Sequence, residues 1–212
     1  MFNIVLCSGF SSVSAKLKVE KVLPPAWSKI GFIPNAADTY EKVDGDYPYW
    51  VLSDIEALKF LWYHVIMVDL NVIEKDNLED ILNWLDGLLV WGGNVFWLLS
   101  LMRKLWLVEL IQLFVKQGKW YIGSSAWSCI MSPDIAYIQF ADDPSVSDLW
   151  SNYVWLGLVS FGINPHFSGN NLPESDIKLY TFAYERDLFP IITLQNDQAI
   201  VADLDWTMKF VL

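Results

Sequence analysis

The chain has 212 residues, a formal net charge of −11, two cysteines and twelve tryptophans against eleven glycines. Its length is that of one domain, residues 1–212, able to bury a substantial core, and its charge argues against a phosphate backbone or an anionic membrane surface as partner, so neither nucleic acid nor membrane is expected. Cys7 and Cys129 are too few for a disulfide framework and show no metal-ligand spacing, so no metal or cofactor is expected.

In chain order, Met1-Phe2-Asn3-Ile4-Val5-Leu6 has no basic lead-in and reads as a first strand, not a signal peptide. Strands are predicted at 2–7, 29–33, 64–68, 87–90 and 119–122, with helices at 14–22, 54–61, 77–83, 95–105 and 107–117. This alternation predicts an α/β fold, a mostly parallel central sheet with helices on both faces and right-handed crossovers. From Gly87 to Met102 no residue is charged, but Gly92-Gly93-Asn94 interrupts the run, which is shorter than the ~18 apolar residues of a spanning helix. A soluble, cytoplasmic protein is expected. Beyond Met131 the rhythm changes: strands at 136–140 and 158–161, a helix at 174–186, and a closing β meander at 191–194, 199–204 and 207–212.

The tryptophans fall where this map asks for glycine. Trp62 and Trp84 follow predicted helices and precede strands, where helices commonly end on a left-handed glycine, and Trp106 sits at a break between two helices. Asp205-Trp206 joins two alternating runs, the place of an Asp-Gly hairpin turn. Trp91 precedes Gly92-Gly93, and Trp127 closes the motif described next. A bulky residue with positive φ is a steric outlier, so the pattern suggests a gene whose UGA codons specify glycine, read here as tryptophan.

The chemistry centres on Gly123-Ser124-Ser125-Ala126-Trp127, which follows a short apolar strand. Four of its five positions fit a nucleophile elbow, G-x-S-x-G, in which a sharp strand-to-helix turn exposes a serine hydroxyl, here that of Ser125. Such a serine needs a base, an orienting group and oxyanion donors. Of the two histidines, His64 opens a strand at the end away from the motif and is read as structural. His166, in Ile163-Asn164-Pro165-His166-Phe167, follows a strand and is the candidate base. Asp142 or Asp143, between nucleophile and base, is the candidate third member, with Asp142 preferred. The Ala126 N–H and the Gly92-Gly93 loop at a helix start are candidate oxyanion donors.

These motifs, with Gly92-Gly93-Asn94 ahead of the elbow, resemble in order and spacing the peptidase E family, the Asp-specific dipeptidases. The resemblance spans the chain from the first strand to the C-terminus. It implies a class-I-glutamine-amidotransferase-like, flavodoxin-like fold with serine in place of cysteine, and metal-free hydrolysis of small peptides with an N-terminal aspartate. It matches Ser125 to the nucleophile, His166 to the base, Gly92-Gly93 to the oxyanion loop and Asn94 to a substrate-contacting asparagine. Family members carry glycine where this chain has Trp62, Trp91 and Trp127. Enteric-type members also place an arginine shortly after the histidine, whereas residues 167–177 contain none and the first cation is Lys178. Two other readings remain: a peptidase-like binding protein impaired by Trp91 and Trp127, and a cyanophycinase-like serine hydrolase acting on another amide or an acidic polymer.

Overall fold

The computed structural model describes residues 2–41, 47–149, 152–154, 156–168, 172–205 and 207–212. Its first half alternates as the sequence pattern requires: β1 (Ile4–Cys7), α1 (Phe10–Val19), β2 (Lys29–Ile33), α2 (Tyr49–Phe60), β3 (His64–Met67), α3 (Lys75–Trp84), β4 (Gly87–Val90), α4 (Val95–Lys104), α5 (Leu107–Lys116) and β5 (Trp120–Ser124). All four residues of β1 are buried, as in a strand covered on both faces. In α5, Leu107, Ile111, Phe114 and Val115 recur at helical spacing and form one buried stripe.

The chain continues through α6 (Ala126–Cys129), β6 (Gly162–Asn164), α7 (Glu174–Glu185), β7 (Ile191–Thr193), β8 (Ala199–Ala202) and β9 (Met208–Val211). The main sheet runs β3-β2-β4-β5-β1-β8-β9. Its first five strands are parallel, while β8 lies antiparallel on β1 and β9 antiparallel on β8. Side chains of α1 and α2 pack with one apolar cluster, those of α3, α4 and α5 with another, so helices cover both faces. This is a flavodoxin-like sheet with an antiparallel C-terminal edge. No helix among the described residues is long and apolar enough to cross a membrane.

Three expectations for the second half need correction. Residues 136–140 form a 3₁₀ helix, not a strand. Its buried residues, Tyr137 and Ile138, are neighbours, which a helical turn accommodates and a one-sided strand does not. Residues 158–161 are a bend leading into β6. The strand expected to open the closing meander, β7, instead pairs in parallel with β6 in a separate two-stranded sheet, so only β8 and β9 form the antiparallel edge.

Two tryptophans expected at left-handed helix ends have that backbone: Trp62 has φ 66° and Trp106 φ 58°. Trp27, which the sequence pattern did not single out, has φ 69°. Trp84 differs, because it is the last residue of α3 and the chain leaves the helix through an extended Leu85. Trp206 lies outside the described residues. The left-handed conformation costs an L-residue about 1–2 kcal/mol and glycine almost nothing. Trp62→Gly and Trp106→Gly should therefore each raise stability by about 1 kcal/mol, read from the midpoint of urea unfolding. Unchanged or lower midpoints would show that the indole contacts outweigh the backbone strain.

Candidate active site

The C-terminal ends of β1, β4, β5 and β6 all open onto one cavity of ≈ 880 Å³, the place where an open α/β sheet binds its ligands. Between β5 and α6, Ser125 makes the turn alone, with φ 61° and ψ −128°. A non-glycine residue stays in that region only when its surroundings over-determine it. Here the Ser125 N–H donates to the Cys7 carbonyl at 2.8 Å. Ser128 Oγ donates to the carbonyls of Cys7 at 2.7 Å and Gly123 at 2.9 Å. The elbow is so tight that a Cβ on Gly123 would lie 2.8 Å from the Trp127 carbonyl oxygen. Ser124 adds a third anchor, because its Oγ accepts from Phe10 N at 3.1 Å and donates to Asp54 Oδ2 at 2.8 Å. Asp54 also accepts from Ser11 N at 2.7 Å; burial raises its pKa, and these donors partly offset the rise.

His166 follows β6 and has φ 60°. Its N–H donates to Ser8 Oγ at 3.1 Å, and Ser8 Oγ donates to the Leu194 carbonyl at 2.9 Å, so the loop is tied to the end of β1. Nε2 lies 2.7 Å from Ser125 Oγ, and Nδ1 lies 2.7 Å from Asn196 Oδ1. An amide oxygen only accepts, so Nδ1 carries the ring proton and Nε2 presents its lone pair to the serine hydroxyl. The structure thus brings Ser125 and His166 together.

The third partner differs from the expected aspartates. Asp142 is half-buried, and its Oδ2 accepts the Val95 N–H at 2.9 Å at the start of α4. Asp143 is exposed and uses Oδ1 to accept Ser145 N at 2.9 Å; the Ser145 hydroxyl and then this N–H lower its pKa. The physical reason is chain direction: after the 3₁₀ helix the Asp142-Asp143 turn runs to the start of α4, while the β7–β8 turn delivers Asn196 to the histidine. Asn94, expected near substrate, is the N-cap of α4 instead. Its Oδ1 accepts from Phe96 N and Trp97 N, and its Nδ2 donates to the Asp143 carbonyl at 2.9 Å.

The glycine loop does lie against the nucleophile. A Cβ on Gly92 would stand 2.5 Å from Ser125 Cβ, and one on Gly93, whose φ is +143°, 2.3 Å from the Ala36 carbonyl oxygen. No loop or cap acceptor among the described residues takes the N–H of Gly93 or Ala126, and both residues line the cavity. Both cysteine thiols are buried, which raises their pKa values and keeps them protonated. Among the described residues no group of three or more His, Cys, Asp or Glu could hold a metal ion. Trp91 and Trp50 line the cavity wall. Trp97 and Trp127 bury their indole N–H groups without an acceptor; Trp91 Nε1, near enough to Asp54 to favour its ionised form, also misses hydrogen-bond geometry.

Sequence reasoning missed Asn196, Ser8 and the Ser124–Asp54 pair. Asn196 lies in the Gln195-Asn196-Asp197 turn with no motif around it, and a search for carboxylates passes over an amide. Ser124, in contrast, stood inside the elbow motif, so a buried acceptor for its hydroxyl was foreseeable.

Peptidase family S51 matches residues 6–206. An uncharacterized peptidase of Listeria innocua, Lin0382, is 32% identical over 201 residues, covering 95% of this chain and 92% of that protein. Peptidase E of Shewanella oneidensis is 29% identical over 174 residues, covering 80% and 68%. A crystal structure from Listeria monocytogenes EGD-e, assigned provisionally to peptidase E, superposes with a TM-score of 0.85 at 30% identity, covering 99% of this chain and 98% of that one. A peptidase from an acI-B1 actinobacterium shares the fold, with a TM-score of 0.62 at 15% identity over 94% and 82% of the two chains.

Asp142 gives this site a pH signature. Burial lifts its pKa from 3.8 to about 6 against the pull of the Val95 N–H, with Tyr40 and Cys129 the titratable neighbours. The folded state then binds the Asp142 proton more tightly than the unfolded chain, so this group's contribution is full below pH 3.8 and lost as pH rises through about 6. Asp142→Asn keeps an acceptor for Val95 and removes the titration. Its Tm relative to wild type, measured by calorimetry, should be more favourable at pH 7.5 than at pH 4.5; a difference independent of pH would contradict the shift.

Proposed function

The chain belongs to peptidase family S51, and we propose that it hydrolyses dipeptides or other short peptides with Ser125 as nucleophile. The observation that carries this reading is the 2.7 Å contact between Ser125 Oγ and His166 Nε2, made from a strained elbow with Nδ1 already committed to Asn196. Ser125 Oγ attacks the scissile carbonyl as its proton passes to His166 Nε2. The Gly93 and Ala126 N–H groups receive the oxyanion. The tetrahedral intermediate collapses as His166 returns the proton to the leaving amine, and a water, deprotonated by the same ring, then releases the acyl group. Asn196 holds the tautomer that makes Nε2 a base. An amide does the same in Cys-His-Asn peptidases, but it lends the imidazolium no countercharge.

We also propose that the tryptophans are glycines in the native product. Support comes from left-handed backbone at Trp27, Trp62 and Trp106 and from the unpartnered buried indole N–H groups of Trp97 and Trp127. An unsatisfied buried donor costs about 1–3 kcal/mol. With glycine at 127 the elbow reads Gly-Ser-Ser-Ala-Gly, and with glycine at 91 the oxyanion loop reads Gly-Gly-Gly-Asn. The gene decides the matter: UGA at these codons, with glycine found by peptide mass mapping of the native protein, is expected, and UGG codons would sink the idea. As printed, Trp91 and Trp127 stand beside the oxyanion loop and the nucleophile and favour a second reading, a binding protein that keeps the fold without turnover.

Fluorophosphonate labelling separates the two readings. Ser125 should react, and Ser125→Ala should lose both the label and dipeptide hydrolysis; full hydrolysis without that hydroxyl would exclude the assignment. Asn196→Ala should lower kcat about a hundredfold or more by freeing the imidazole tautomer, whereas Asn196→Asp should retain or raise kcat. An Asn196→Ala protein with wild-type kcat would remove Asn196 from the machinery.

A further inference from the structure

The cavity around Ser125 is lined by three carboxylates, those of Asp54, Asp142 and Asp176, and by no lysine or arginine among the described residues. Of the described lysines close in sequence to its walls, Lys16 pairs with Asp197 at 2.7 Å and Lys178 with Glu174 at 2.7 Å. Both arginines are also occupied: Arg103 donates to the carbonyls of Asn152 and Val154, and Arg186 lies 4.3 Å over the Phe182 ring. A substrate carboxylate entering this space would meet wall carboxyl groups and no lysine or arginine among the described residues, in a chain whose net charge is already −11.

The carboxylates are not equivalent. Asp54 is buried and has both oxygens in use, one on Ser11 N and one on Ser124 Oγ. Asp142 uses Oδ2 for Val95 N, and its other oxygen accepts nothing from the described residues. It lines the cavity together with Ser125, Ala126, Cys129, Ile138 and Ala141. That leaves a half-buried acceptor in the wall of the cavity that Ser125 also lines, with no donor on it among the described residues. The group that best satisfies it is a cation with several N–H donors, which every unblocked peptide carries at its N-terminus.

We propose that this cleft takes short peptides with a free α-ammonium and a non-acidic first side chain, the ammonium resting on Asp142. This rests on the serine-peptidase reading above and deepens it. Asp142 is then a substrate-binding residue, and the enzyme disfavours an N-terminal aspartate.

The test is a panel of Ala-Leu, Lys-Leu, Asp-Leu and N-acetyl-Ala-Leu, run beside fluorophosphonate labelling of Ser125. For wild type, kcat/KM for Ala-Leu and Lys-Leu should exceed that for Asp-Leu and for the acetylated peptide by about tenfold or more. Asp142→Asn should raise KM for Ala-Leu about tenfold and change kcat less than about threefold, the mark of lost ground-state binding. Should that variant not fold, protection of wild-type labelling gives the same answer: L-alaninamide should protect, N-acetylalaninamide and L-aspartate should not. Asp-Leu cleaved as well as Ala-Leu, equal turnover of blocked and free peptides, or labelling with no hydrolysis of any panel member would each overturn this proposal and leave the nucleophile standing. Absence of labelling would overturn the serine-peptidase reading and this proposal with it.

Discussion

One hydrogen bond fixes the geometry on which the site depends: the Ser125 N–H donates to the Cys7 carbonyl at 2.8 Å. It continues the pairing of β1 with β5 one step past the last ladder residues, Cys7 opposite Ser124, and holds the serine where its φ is positive. Ser128 Oγ reinforces it by bonding the same carbonyl. The energy that maintains the strained residue therefore comes from the buried centre of the sheet, and the hydroxyl is aimed by main chain rather than by a flexible loop. Asp54 extends the same logic to the second helical layer, since Ser124 Oγ ties α2 and the start of α1 to the strand end.

A second consequence is electrostatic. Holding His166 with an amide at 2.7 Å sets the tautomer without adding a charge behind the ring. The carboxyl groups of the site lie instead on the cavity walls, on Asp54, Asp142 and Asp176. In a triad with a carboxylate, one charged group both orients the base and stabilises the imidazolium. Here the amide orients the ring and supplies no countercharge, while Asp142 on the cavity wall keeps one oxygen that accepts nothing from the described residues. The raised pKa of Asp142 follows from burial.

The tryptophans test how much local strain this framework tolerates. Trp62 and Trp106 stay exposed while holding left-handed backbone, whereas Trp127 is fully buried at the start of α6. The fold accommodates each of them, yet the steric or hydrogen-bonding penalty at these positions is one that glycine removes. The cost is spread over many sites, so it bears on overall stability more than on the Ser125–His166 contact.

By itself the sequence determined the parallel half of the sheet, because buried β-branched runs and amphipathic stripes such as Leu107-Ile111-Phe114 are local signals with a fixed period. It also determined Ser125 and His166 as the reacting pair to examine, since an elbow is a contiguous motif and histidines are scarce, and it marked Trp62 and Trp106 as left-handed. Only the tertiary structure decided the rest. Whether 136–140 is a strand depends on a neighbour to pair with, and it has none. Whether β7 joins the main sheet depends on the packing of β6. The partner of His166 Nδ1 comes from a turn 30 residues away in sequence, and Asp142, nearer by motif order, is directed to α4 by the loop that carries it. Contacts between segments that share no local pattern are set by how the layers close, and no residue spacing records them.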